Sequence, residues 1–297
     1  ISDIVFKIGP RINASGRMQS GKEAVDLLVS KDASTAMKKS HDINQYNEDR
    51  KELDKKVTEE ASCLLEQQSD FEKRKSIVIY NAEWHKGIIG IVASRLTELY
   101  YRPSVVLTFS NGLVTGSARS VQGFDVYKAV ESCRDLLENF GGHTYAAGLS
   151  LREENVVSFI DRFESYVSEN ILLEQTSPQI DIDMELGFDE ITSDFYHWLK
   201  QFNPVGPGNM KPVFSTQGVV DAGSRLVGRN QEHLKLEVRE GKSSVTMSGI
   251  AFGMHEHYAY IKSGAPIDIC YTIEENNFKG ITSMQLQVKD IRPSEKK

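Results

Sequence analysis

The sequence predicts an α/β unit followed by an all-β unit, with a long connecting helix before the first and closure of the second as a small barrel. Three observations carry this. Between residues 76 and 170, short β-branched runs alternate with helical patterns, the order of an α/β layer. Between 22 and 68 the chain is polar with one apolar stripe at helical spacing. Beyond 178, strand-like runs take over. At 297 residues the chain has room for two or three domains. Cys63, Cys133 and Cys270 are too few and too scattered for a zinc site or a disulfide framework, and they fit a reducing cytoplasm. No apolar run approaches the roughly eighteen residues of a membrane-spanning helix. A net charge of −7 excludes a broad basic surface, so any nucleic-acid contact must come from a local groove. The start, Ile1-Ser2-Asp3-Ile4, has neither Met nor the basic region of a signal peptide, and reads as a beginning inside a longer protein.

Residues 1–20 are punctuated by glycine and are expected to be irregular. Here Arg11, Asn13 and Arg17 lie between or beside Gly9 and Gly16, in a loop suited to an anion or to a hinge. Over 22–68, Ile43, Tyr46, Leu53, Val57, Ala61 and Leu64 recur by threes, fours and sevens, as on one long helix with one buried stripe. Residues 77–80 form a short buried strand. Ile88, Ile89, Val92, Leu96 and Leu99 define a helix that Pro103 stops. Strands at 105–107 and 113–119 flank an Asn111-Gly112 turn. Asp125 caps a helix expected to run to Phe140, and a strand at 146–151 and a helix at 154–169 complete the unit. Further strands are expected over 179–186, 213–227, 233–239, 243–252, 267–273 and 283–291, interrupted by a short helix at 193–202. Five or six strands in that length suit a barrel of the oligonucleotide-binding type. Pro204-Val205-Gly206-Pro207-Gly208-Asn209 is a rigid turn leading into it.

The chemistry concentrates in a few stretches. Gly141-Gly142-His143-Thr144-Tyr145-Ala146-Ala147-Gly148 reads as a phosphate-handling loop: bare glycines expose backbone N–H groups, and an imidazole can donate to a phosphate oxygen. His85, Lys86 and the Gly87 amide follow the first strand of the α/β unit, where ligands of open sheets bind; the alternative is a packing loop with a snorkelling lysine. Ser117 and Arg119 end a strand of small residues, where an arginine can grip a phosphate in two places or form a surface ion pair. In the barrel, Arg225, Arg229, His233, Lys235, Phe252, Tyr271, Phe278 and Lys279 mix bases with aromatics, a composition that can stack nucleobases and track a backbone or divide between core and solvated surface. Two patterns are discounted as metal sites. Asp181 and Asp183 share a strand face opposite Ile180, Ile182, Met184 and Leu186, and His255-Glu256-His257 lacks a third ligand nearby.

Taken together these stretches resemble the C-terminal part of the RecJ family, single-strand-specific DNA exonucleases of the DHH phosphoesterase superfamily. Residues 9–18 resemble the family's GPRINAAGR segment, with Ser15 for Ala; residues 85–95 its HxGVIGIVASR segment; residues 141–149 its GGHxxAAGL segment. Residues 204–214 resemble PFGxGNPxPVF, with Val205 and Met210 departing from it, and 276–280 the NxYxG turn, with Phe278 for Tyr. The resemblance covers essentially the whole chain. It implies the tail of a DHH domain at 1–20, a connecting helix at 21–70, a DHH-associated α/β domain at 71–172 and an OB-like barrel at 173–297. It further implies 5′-to-3′ degradation of single-stranded DNA in repair and recombination, with manganese or magnesium held by Asp and His motifs of the DHH domain. This sequence has no DHH triplet and no Asp/His cluster to replace it, so no metal is expected in it and, alone, it is expected to bind rather than cut. By resemblance, His143 and the amides of Gly141 and Gly142 face the phosphate under attack. Arg119, His85 and the Arg11/Arg17 loop hold neighbouring phosphates, with Asn13, Lys86, Gly87 and Ser117 beside them. Arg229, His233, Lys235 and Phe278 guide the strand. Single-stranded DNA is the implied partner, with a single-strand-binding protein or helicase in the parent's context. Two other readings stand beside this one: a non-catalytic single-strand-binding module, and a DHH phosphodiesterase of short oligonucleotides, which the barrel disfavours.

Overall fold

The computed structural model describes residues 3–241, 244–278 and 280–294. The chain divides into two compact units, Ile1–Pro178 and Gln179–Lys297. Among the described residues no helix is long and apolar enough to cross a membrane.

The first unit opens with helices. The stretch expected to be irregular is helical: a single wide turn at Ile4–Ile8 runs into α1 (Gly9–Met18). Pro10 sits in the first turn, where its missing N–H costs nothing, and Ala14 and Ser15 bury their small side chains. Tertiary packing thus overrides two unfavourable glycines. The long helix is also corrected. It breaks into α2 (Gly21–Leu28) and α3 (Ala33–Glu66), because the Asp32 carboxylate accepts the Thr35 N–H at 2.7 Å and starts a new helix. The buried face of α3 follows Ile43, Asn47, Asp54, Val57, Ala61 and Leu65, so Leu65 rather than Leu64 faces inward. Asp54 is fully covered and takes a bidentate hydrogen bond from Arg95 at 2.9–3.0 Å.

The α/β layer follows: β1 (Ile77–Tyr80), α4 (Ile89–Tyr100), β2 (Ser104–Ser110), β3 (Leu113–Arg119), α5 (Val126–Glu131), β4 (Leu137–His143), β5 (Ala146–Leu151) and α6 (Val156–Asn170). The sheet order is β1-β2-β3-β5-β4, with β1 parallel to β2 and the other pairs antiparallel. Asn111 and Gly112 both take positive φ (55° and 83°), which is what a two-residue hairpin turn between β2 and β3 requires. The helix expected to reach Phe140 ends at Glu131, and its second half is the strand β4. Gly141 and Gly142 are poor helix formers, and the backbone of this segment pairs with β5 instead. The glycine-histidine segment is therefore the end of a strand and the tip of a hairpin, not a free loop.

In the second unit, β6 (Met184–Glu185) and α7 (Ser193–Leu199) precede β7 (Phe214–Asp221), β8 (Arg225–Val227), β9 (His233–Glu240), β10 (Thr246–Ala251), α8 (Tyr258–Lys262), β11 (Ile267–Phe278) and β12 (Ile281–Pro293). The order β7-β11-β12-β10-β9 closes through β7–β9, and β10 runs parallel to β12. This is a closed barrel whose interior holds Val219, Leu234, Leu236, Val238, Tyr271 and Leu286. The strand expected over 179–186 shrinks to two residues. Ile180, Ile182 and Met184 are exposed and only Leu186 of that set is buried, so no apolar face holds the segment in a ladder. The run 213–227 is two strands, and α8, which the sequence reading did not contain, connects β10 to β11.

Candidate nucleic-acid interface

The two faces of the five-stranded sheet are covered unequally. One packs against α5 and α6 through Val105, Leu107, Val114, Ala118, Leu149 and Leu151. On the other, α4 and the end of α3 cover Ile77, Ile79 and Val106 on β1 and β2. Beyond β3 this face is open. Paired residues of neighbouring strands share a face, so the register fixes what it presents. Thr115, Ser117 and Arg119 of β3 lie beside Ser150, Gly148 and Ala146 of β5, and these beside Asn139, Gly141 and His143 of β4. The result is a shelf of small residues, with Arg119, Ala146 and His143 forming its end row.

The glycines on and near the shelf are bare for different reasons. A Cβ added at Gly142 would lie 2.2 Å from the Ala146 carbonyl oxygen, and one at Gly116 would lie 2.5 Å from the Leu107 side chain. Those two are required by the fold. At Gly141 and Gly148 a Cβ would meet nothing within 4 Å. The space above these two is left open by the chain itself, as an approaching backbone or phosphate would need.

His85 and His143 are oriented by one device. The His143 Nδ1 accepts the Tyr145 N–H at 3.2 Å, and the His85 Nδ1 accepts the Gly87 N–H at 3.1 Å. With Nδ1 taken as acceptor, the ring hydrogen is on Nε2, which is turned outward as a donor. Arg119 is half-buried. Its Nε donates to Ser94 Oγ at 3.1 Å, and its Nη1 to Ser117 Oγ at 2.8 Å and the Ala118 carbonyl at 2.7 Å, so none of these bonds goes to a carboxylate. Burial, then the charge of Arg17, pushes its guanidinium below the usual arginine range. Two cations facing each other without a carboxylate between them are arranged to receive an anion. Arg17 donates to the Gly87 carbonyl at 3.1 Å, and a Cβ at Gly87 would lie 2.2 Å from the Arg17 carbonyl oxygen, so this glycine allows the end of α1 to approach.

The structure therefore brings Arg17, His85, Gly87, Ser117, Arg119, Gly141 and His143 toward one edge of the sheet. Lys86 and Asn13 are exposed. Arg11 departs from the expected anion loop: its Nε donates to Asn44 Oδ1 at 2.5 Å and its Nη1 to the Lys7 carbonyl at 2.6 Å, which ties α1 to α3. Gly142 is structural, as its contacts show. Sequence reasoning did not single out Ser94, Asn139 or Ser150. The last two were findable by a two-residue period around His143, had the segment been read as a strand.

In the barrel, Leu234, Leu236 and Val238 point inward, so His233, Lys235 and Glu237 point outward. Lys235 lies beside Arg225 on β8 and Ile250 on β10. Burial pushes its ammonium down; Glu237 opposes this and Arg225 adds to it. Phe252 is 56 % exposed and its ring sits 5.2 Å from that of His233, whose Nδ1 accepts the Gly253 N–H at 3.1 Å. Arg229 is exposed in the turn between β8 and β9. Tyr271 leaves the outer face: it is fully buried, hydrogen-bonded to Thr216 at 2.7 Å, and its phenol is pushed up to about 12 by burial. Phe278 ends β11, but its side chain, like Lys279, lies outside the described residues. On such barrels the second and third strands and the adjoining turns carry oligonucleotides, and these are β9 and β10 with the 228–232 turn. Asp183 accepts the Val213 N–H at 2.8 Å rather than sharing a strand face with Asp181. Among the described residues no group of three or more His, Cys, Asp or Glu side chains could hold a metal ion.

Comparison with known proteins places names beside this geometry. Residues 74–169 match the DHHA1 domain family and residues 182–290 the RecJ OB domain family. The chain is 33 % identical over 292 residues to the single-stranded-DNA-specific exonuclease RecJ of Bacillus subtilis, covering 98 % of this chain and 37 % of that protein. It is also 33 % identical to the RecJ of Haemophilus influenzae, covering 98 % of this chain and 52 % of the relative. The chain thus spans between about a third and a half of these relatives. Among solved structures, RecJ of Thermus thermophilus in complex with Mg2+ superposes with a TM-score of 0.82 at 26 % identity, over 99 % of this chain and 44 % of that one.

Proposed function

Because this RecJ-like chain carries a DHHA1 domain followed by a RecJ OB domain, we propose that it is the strand-holding part of a 5′-to-3′ single-stranded-DNA exonuclease. The observation that carries the reading is the shelf: two open glycines, an Nε2 donor on His143 and an uncompensated Arg119 on one sheet face. His143 and the Gly141 backbone bind the phosphate that reacts. Arg119, Ser117, Arg17 and His85 hold the phosphates next to it, and the outer face of β9 and β10 guides the strand. These groups bind and orient; none is a general base or a nucleophile. RecJ structures are known with Mg2+ and with Mn2+. The described residues offer such an ion no donor cluster, and the shelf's own groups are cationic or neutral. In this reading the cutting ions are held by a part of the parent enzyme outside this chain, and that parent acts in DNA repair and recombination.

The test uses this chain with manganese and a 5′-phosphorylated single strand. Binding without turnover is expected, with His143→Ala in a catalytically complete parent lowering kcat more than affinity. Turnover by this chain above background would defeat the reading.

A further inference from the structure

We propose that Ser94 and Gly90 of α4 are positioning residues for Arg119: they aim its guanidinium so that one nitrogen, Nη2, is kept for a phosphate of the strand. An arginine carries five N–H hydrogens, one on Nε and two on each terminal nitrogen. In Arg119 three of them are used within the fold. Nε donates to Ser94 Oγ at 3.1 Å, and Nη1 donates to Ser117 Oγ at 2.8 Å and to the Ala118 carbonyl at 2.7 Å. Among the described residues Nη2 has no hydrogen-bond partner, and it is not one of the unpartnered atoms sealed from solvent. Both of its hydrogens are therefore free and within reach of a ligand.

Ser94 acts in one sense only. Its single hydroxyl hydrogen goes to the Gly90 carbonyl at 3.1 Å, so its oxygen faces Arg119 as an acceptor. Gly90 lies one turn earlier on the same face of α4. A Cβ there would lie 3.0 Å from Arg119 Nη2 and 3.1 Å from Ser117 Oγ, so it would fit only if the guanidinium moved. Alanine is the better helix former, and the room left for Nη2 explains the bare position. The neighbouring arginine shows what a purely structural seat looks like. Arg95 gives Nε and Nη2 to the buried Asp54 carboxylate, which cancels its charge. Arg119 is held from the preceding residue of the same helix by a hydroxyl instead. A carboxylate at that place would grip the guanidinium more firmly and neutralise it. Neutral acceptors fix its direction and leave the charge whole. They also narrow the grip: with the Nε and Nη1 hydrogens occupied, a phosphate meets Nη2 alone rather than a fork of two nitrogens.

This inference rests on the reading that Arg119 holds a phosphate, and the test keeps the two apart. Affinity of the whole chain for a 5′-phosphorylated oligothymidylate is measured at one salt concentration. Arg119→Ala is expected to weaken it about thirtyfold, as loss of a hydrogen bond to a charged group does, and Ser94→Ala about fivefold, the worth of an ordinary one. Gly90→Ala should weaken it by a similar factor. Once Arg119 is alanine, neither change should weaken binding further, because both act through that side chain. Ser94→Thr keeps the hydroxyl and should bind as the unaltered chain does; Thr97 already bonds the carbonyl four residues back in α4, at 2.9 Å. The inference is overturned if Ser94→Ala and Gly90→Ala leave affinity unchanged, if they weaken it as much without Arg119 as with it, or if Ser94→Thr binds no better than Ser94→Ala. If Arg119→Ala itself leaves affinity unchanged, the phosphate reading of Arg119 falls, and this inference with it.

Discussion

The α/β unit and the barrel present their outer surfaces by opposite means. In the first, α4 covers the sheet only as far as β3, and the open half presents backbone, glycine and short side chains. In the second, closure through β7–β9 leaves no bare half-face, and what points outward is long or aromatic: Arg225, Lys235, His233, Phe252. An open sheet fixes the positions of groups to a fraction of an ångström because the backbone itself is the contact. A closed barrel supplies charge and stacking surface on side chains that can adjust. The proposed function uses this contrast: the shelf would hold the reacting phosphate and the barrel's side chains the rest of the strand.

The sharpest way to break this contrast is at neighbouring glycines. Gly142→Ala forces a methyl group onto the Ala146 carbonyl and should cost about 3 kcal/mol in urea unfolding. Gly141→Ala has open space and should stay within about 0.5 kcal/mol of the parent while weakening strand binding. Equal stability losses would mean that the shelf is ordinary packing.

A second prediction concerns the barrel alone. Burial opposes ionisation of Asp221, but Lys262 at 2.7 Å and the N–H groups of Ser224 and Gly223 outweigh it and bring its pKa from 3.8 to about 2. A depressed carboxylate stabilises the folded state fully above its unfolded value and loses that contribution as pH falls from about 4 through 2. The contribution is about 2 kcal/mol. Asp221→Asn should remove it at pH 7 and flatten the acid limb of the barrel's unfolding curve, leaving the α/β unit's transition where it was. A single shared transition would show that the units are not thermodynamically separate. The smallest effect is expected at Lys235→Gln, where affinity for single strands should fall a fewfold and the slope of log K against log salt should lessen by about 1. An unaltered slope would take the β9 face off the strand's path.

Much of this was legible in the sequence. Asn111-Gly112 announced a hairpin because so few residue pairs accept two positive φ angles in succession. The stripe from Ile43 to Ala61 announced α3. The family-like segments at 85–95 and 141–149 supplied the residues that the register later put in line. What failed did so for physical reasons. Residues 9–18 became a helix because Ala14 and Ser15 had a surface to bury against, which no propensity scale contains. Residues 137–143 became a strand because β5 was there to pair with, and Leu136-Leu137 satisfy a helical and a β pattern equally. Arg11 looked like an anion ligand until Asn44, thirty-three positions away, took its guanidinium.

The Nδ1 of His143 is committed to its own hairpin. A ring whose second nitrogen is already occupied by the Tyr145 amide can hand a hydrogen to an oxyanion, yet holds no spare lone pair with which to strip one from water. If the proposed function holds, hydroxide is made beside this shelf without the imidazole, and a glutamine presenting its amide at the same spot would be the gentlest replacement for it.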